Sequence, residues 1–140
     1  MERFIVDQML MRLGRWLRML GQDVANPENA DDRELMERAL AENRTLLTRD
    51  RGLAESCRAA KVSCILIKSS QLEEQLREIS QMGVALELKP LRCTICNSPL
   101  RRIESPVRET WQCEGCGKRY WVGAHWRKME KTLDRVRSGD

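Results

Sequence analysis

TLLTRDRGLA, residues 45–54, opens as an apolar strand and stops on Arg49, Asp50 and Arg51, beyond which an Ala-rich helix can begin. A strand that ends on an acid and passes into a helix is the building unit of an α/β layer. The same unit stands at the N-terminus, where Phe4 to Val6 are apolar and end at Asp7. Beyond it Met9, Leu10, Leu13, Trp16, Leu17 and Leu20 recur at helical spacing until Gly21 stops the run.

The intervening chain continues the pattern. A short strand fits Asp23 to Ala25, a loop holds Pro27, and acids at 31–34 precede Leu35, Ala39 and Leu40 in a helix that Asn43 can cap. Residues 53–60 form a short helix. Val62 to Ile67 is a continuous apolar run, as expected of a strand buried on both faces of a parallel sheet. Ser70 and Glu73 have the spacing of a capping box, and Leu72, Leu76 and Ile79 carry a helix toward Gly83. The expected architecture is a mostly parallel sheet flanked by helices. In such sheets ligands gather outside the carboxyl ends of the strands, so Asp7, Asp50 and the helix-opening Asp31, Asp32 and Glu34 converge on one edge. After Lys89-Pro90, Cys, Trp, Gly and basic residues replace the Leu-rich helices. We place a boundary there, between an α/β domain of residues 1–89 and a small module of residues 90–140 that ends in a helix.

Among 140 residues, 41% are hydrophobic and 33% charged, which indicates a folded chain. No apolar run approaches the roughly 18 residues of a membrane span, and the N-terminus lacks the layout of a signal peptide, so a cytoplasmic protein without membrane contact is expected. The net charge of +4 is uneven. Residues 1–90 hold 14 Lys and Arg against 15 Asp and Glu, and residues 91–140 hold 11 against 6, which points to a polyanionic partner.

Cys93 and Cys96, then Cys113 and Cys116, form two CxxC pairs separated by 16 residues, the spacing of a structural zinc ribbon. Four thiolates close the shell and leave no position for catalysis. Iron in the same S4 geometry is the chemical alternative. Cys57 and Cys64, in a helix and a strand, are expected to be small buried residues.

Clustered carboxylates without a neighbouring His or Lys suit Mg2+ or Mn2+, and such ions support phosphodiester hydrolysis. Each acid is equally readable as a helix cap. His125, the only histidine, stands far along the chain. Arg12, Arg15 and Arg18 recur every three residues, either to hold an RNA backbone or as a solvated helix face. Lys118, Arg119, Arg127 and Lys128 alternate with Tyr120, Trp121 and Trp126, a pattern for stacking on bases between phosphate contacts. The competing reading has Trp111, Trp121 and Trp126 packing the ribbon against its neighbour.

RFIVDQMLMRLGRWLRMLGQDV, ADDRELMERAL, TLLTRDRGLA, the two CxxC pairs and RYWVGAHWRKM together resemble the Mut-seven C-terminal RNase family, a PIN-like nuclease domain joined to a zinc ribbon. The resemblance runs over nearly the whole chain and keeps the segment order. It implies an RNA-cutting enzyme with an Mg2+ or Mn2+ site. Asp7 matches the acid of the first strand, Asp32 the acid opening the second helix, and Asp50 the acid of the TRD motif, with Asp31 and Glu34 as neighbours. PIN domains often carry a fourth acid after a later strand, where this chain has Lys68, Ser69 and Ser70. The loop before the second helix offers Glu28 alone. The reading is thus a metal-dependent ribonuclease, and its rival is a non-catalytic RNA- or ribosome-binding adaptor with a vestigial acidic site.

Overall fold

The computed structural model describes residues 3–139. Strands β1 (Arg3–Val6), β2 (Asp23–Ala25), β3 (Thr45–Thr48) and β4 (Cys64–Leu66) form one sheet in the order β2-β1-β3-β4. All three pairings are parallel, with Ile5 opposite Ala25 and Leu46, and Leu47 opposite Ile65. Between the strands run α1 (Met11–Met19), α2 (Asp32–Ala41) and α3 (Arg51–Ala59), and α4 (Leu72–Ser80) follows β4. Parallel neighbours need such crossovers.

Period-2 alternation divides the sheet's side chains between two cores. Phe4, Val6 and Leu47 meet Leu10, Leu13 and Leu17 of the first helical segment and Leu76 and Ile79 of α4. Ile5 and Leu46 meet Leu35 and Ala39 of α2 and Leu53 and Cys57 of α3 on the other face. Helix α1 lies close to the sheet because Gly14 has no side chain. A Cβ built there would stand 3.2 Å from Val6 Cγ2.

Two sequence expectations need correcting. β4 is an edge strand paired only with β3, and its residues are half-buried rather than enclosed on both faces. The capping box at Ser70 does not form: α4 starts after Gln71 without a side-chain cap. Ser69 Oγ instead accepts from the Gln71 N–H, and the Glu78 carboxylate takes the N–H groups of Lys68 and Ser69.

A second, antiparallel sheet follows, made of β5 (Leu100–Ile103), β6 (Thr110–Cys113) and β7 (Arg119–Trp121) in that order. The closing helix α5 (Ala124–Ser138) then returns to the first sheet. Its Leu133 and Val136 are buried in the same cluster as α1 and α4. Arg77 of α4 donates to Val136 O, and Arg135 pairs with Glu73 at 3.1 Å.

The first cysteine knuckle is tied to the β2 edge. Asn97 Oδ1 accepts the Val24 N–H at 3.0 Å, and Asn97 Nδ2 donates to Asp23 at 2.7 Å. Asp23 also takes Arg44 at 2.8 Å, with Arg3 and Arg92 nearby. Burial alone would raise the Asp23 carboxyl, but hydrogen bonds from Arg44 and Asn97 outweigh it and hold the group at about 2. Among the described residues no helix is long and apolar enough to cross a membrane.

Candidate active site and metal centre

Because the sheet is parallel, β1 and β3 deliver Asp7 and Asp50 to the same end of the sheet, and α2, which Asp31 caps and Asp32 opens, follows β2, whose strand runs the same way. Asp7 is 7% exposed. Its Oδ1 accepts the Met9 N–H at 3.0 Å, and its Oδ2 accepts the hydroxyl of Thr48. Thr48, fully buried, in turn accepts the Asp50 N–H at 3.0 Å. One hydroxyl therefore ties the Asp7 carboxylate to the backbone of Asp50. Burial, and then the charge of Asp50, raise the Asp7 carboxyl above its ordinary value, against the lowering pull of Thr48 and the Met9 N–H.

Asp50 is exposed and caps α3 through the Leu53 N–H at 3.1 Å. Asp31 and Glu34 close a reciprocal capping box, with bonds of 2.8 and 3.3 Å. Their oxygens are engaged in holding the helix start. Asp32, exposed in the first turn of α2, lies near enough for its charge to push up the Cys57 thiol, after burial, the larger cause. Burial and Cys57 push Cys64 up to about 12, with Asp7 adding to the effect. Both thiols are thus poor nucleophiles at neutral pH. None of Asp7, Asp32 and Asp50 makes an ion pair among the described residues. Arg49 follows the end of β3, and its buried Nε has no partner among the described residues.

Cys93, Cys96, Cys113 and Cys116 bring their sulfurs within 4.8 Å of one another, the one such group of metal-capable side chains among the described residues; the acids of the sheet edge do not form a second. Cys93 and Cys116 are 3.6 Å apart and Cys96 and Cys113 3.4 Å. A tetrahedral zinc shell with bonds of about 2.3 Å has S···S edges of about 3.8 Å, so the four cysteines fit a metal such as zinc. N–H groups of Ile95, Gly115 and Cys116 point at the sulfurs, as thiolates require. The Ser98 hydroxyl and backbone draw the Cys96 thiol down to about 6. At Gly115 a Cβ would meet Ser98 Oγ at 2.4 Å, so no other residue fits there without displacing the knuckle. Tyr120 closes the other side, its hydroxyl 3.1 Å from Cys93 Sγ and taking the Thr94 N–H at 3.0 Å.

The cations divide into two groups. Arg12, Arg15, Lys118, Arg119 and Lys128 line one groove between α1, the ribbon and α5. Arg127 is exposed on the same helix but is not among the lining side chains. Arg18 belongs elsewhere: it is 2% exposed and donates to Val24 O, Thr94 O and Ile95 O, tying α1 to β2 and the knuckle. Trp126 stacks on Trp111 at 5.7 Å, the packing role foreseen for both, whereas Trp121 is 45% exposed. The bonding roles of Thr48, Tyr120, Asn97 and Asp23 were not read from the sequence.

A family model described as the Mut7-C RNAse domain matches residues 2–133. Searches of curated proteins and of solved structures returned no match.

Proposed function

The chain belongs to the Mut7-C RNAse domain family, and from that premise we propose that it is a metal-dependent endoribonuclease of PIN-like fold. The observation that carries the reading is the Asp7–Thr48–Asp50 chain of hydrogen bonds: a buried carboxylate whose partner Thr48 also holds the Asp50 backbone, with the charge of Asp50 pushing Asp7 up and no cationic side chain paired to either acid. A hard divalent cation would relieve that repulsion, and Asp32 is the nearby acid with an uncommitted carboxylate. Mg2+ or Mn2+ bound there would supply Lewis acidity toward water and a phosphate oxygen. Asp7 contributes a carboxylate set by Thr48 and the Met9 N–H, and Asp50 one set by the Leu53 N–H. Asp31 and Glu34 support the site by fixing the start of α2. The cysteine cluster is a structural zinc site. On this reading residues 1–89 form the nuclease layer and residues 90–140 the ribbon and its closing helix, which braces both. Six free cysteines suit a reducing, cytoplasmic setting.

The rival is an RNA-binding adaptor without activity. It is favoured by the capping bonds of Asp7 and Asp50, which occupy part of each carboxylate. Labelled RNA incubated with the protein and Mn2+ separates the two. The nuclease reading expects cutting that EDTA stops and that Asp50→Asn abolishes. Equal cutting by wild type and Asp50→Asn, or none by either, sinks it.

A further inference from the structure

The ribbon, α1 and α5 enclose a groove of about 550 Å3 that none of the acidic side chains lines. Arg12, Arg15, Trp16 and Met19 follow i, i+3, i+4 and i+7 and so form one stripe of α1 along its wall. The stripe begins in the first turn of α1, two residues beyond the segment that Asp7 caps, so the groove starts near the acid edge and runs away from it for about 10 Å. Lys118 and Lys128 face it from the other two elements, and four aromatic rings line it.

Those rings are set in place. Trp126 is stacked on Trp111. Tyr120 is anchored by its hydroxyl, with Lys118 Nζ 5.4 Å from its ring centre. The Arg108 guanidinium lies 4.6 Å from the centre of Trp121. Gly123 leaves room for that indole, since a Cβ there would stand 3.0 Å from its Cδ1 and Nε1. Rings in fixed positions among cations offer stacking surfaces between phosphate contacts. An acidic polypeptide would use the charges and leave the rings idle. A continuous duplex keeps its base faces within the stack and would use the charges only.

We propose that this groove seats an unpaired RNA segment flanking the cut, so that the substrate is RNA that is single-stranded beside the scissile bond. The proposal rests on the ribonuclease reading for its biological sense, and on the groove alone for its binding chemistry.

The test measures binding of a short labelled RNA to the full chain carrying Asp50→Asn, which keeps the RNA intact, with the same RNA single-stranded or in a blunt duplex. Single-stranded RNA should bind about tenfold more tightly or better. Trp121→Ala, at an exposed position, should remove about tenfold of that affinity while leaving the salt dependence unchanged. Lys128→Glu should weaken binding to any RNA and lower the slope of log affinity against log salt by about one. Circular dichroism confirms that each variant is folded. A duplex bound as tightly as the single strand, unchanged binding by both variants, or displacement by poly-glutamate at matched charge would overturn the proposal. Cutting that survives Asp50→Asn, alongside the expected binding pattern, would remove the proposed active site and leave the groove standing.

Discussion

Thr48 shows how much a single hydroxyl can carry. It donates to Asp7 and accepts from the Asp50 N–H, fully out of solvent. Thr48→Val keeps the shape and leaves two polar groups without their partner, at a cost of about 1–3 kcal/mol. If Asp7 holds the proposed metal, cutting should fall about 10–100-fold, as for outer-shell partners of metal ligands, and Thr48→Ser should restore it. Asp7 carries the opposite trade. Its carboxyl is raised, so the folded state holds a proton that the unfolded state has released, and stability falls as pH climbs from the ordinary carboxylate value through the raised one. Asp7→Asn should therefore raise the melting temperature at neutral pH while abolishing Mn2+-dependent cutting, both readable on one preparation. The acids were legible because each ends a strand or opens a helix. Thr48 was not, since a threonine in a strand is ordinary. Arg18 was misread through its spacing. Steps of three residues fall about 60° short of a full turn, so two of them carry Arg18 about 120° from Arg12 and into the seam with β2.

Among the elements, the ribbon is the one built around four cysteines that could hold an ion. Its knuckle touches the first sheet through Arg18 with Thr94 O and Ile95 O, and through Asn97 with Asp23 and Val24. Chelating the metal should thus raise amide exchange beyond β5, β6 and β7, reaching Val24 of β2, while Leu46 and Leu47 at the centre of the sheet stay protected. Hydrogen exchange followed by mass spectrometry reads this directly, and protection of β2 that ignores chelation would show the ribbon to be an independent appendage. The CxxC spacing made the ribbon legible. Its docking was not, because the tie is made by carbonyls and by Asn97, whose left-handed φ of 66° comes from the knuckle turn rather than from any pattern of residue types. For the same reason β4 read as an inner strand. An apolar run records that neighbours exist, and the outer side of β4 is not covered by another strand.

At the scale of the molecule the chain doubles back. The change of composition at Pro90 was visible, and it falls between α4 and β5, where the second sheet begins. That α5 returns was hidden, since Met129, Leu133 and Val136 say that one face of the helix is buried without naming what covers it. A chain ended at Pro90 should lose about 4 kcal/mol of stability from the absent Leu133 and Val136 alone, visible as a lower midpoint in urea. The open sheet has two borders, and they are treated differently. On the β2 side the Val24 N–H, which a strand from another molecule would seek, is taken by Asn97. The cysteine module thereby covers a sheet border that would otherwise be open to pairing, and an ion held by its cysteines would guard colloidal behaviour as well as local order. Stripped of metal, the protein should associate in a concentration-dependent way that light scattering detects, and Asn97→Ala should do so with its metal still in place.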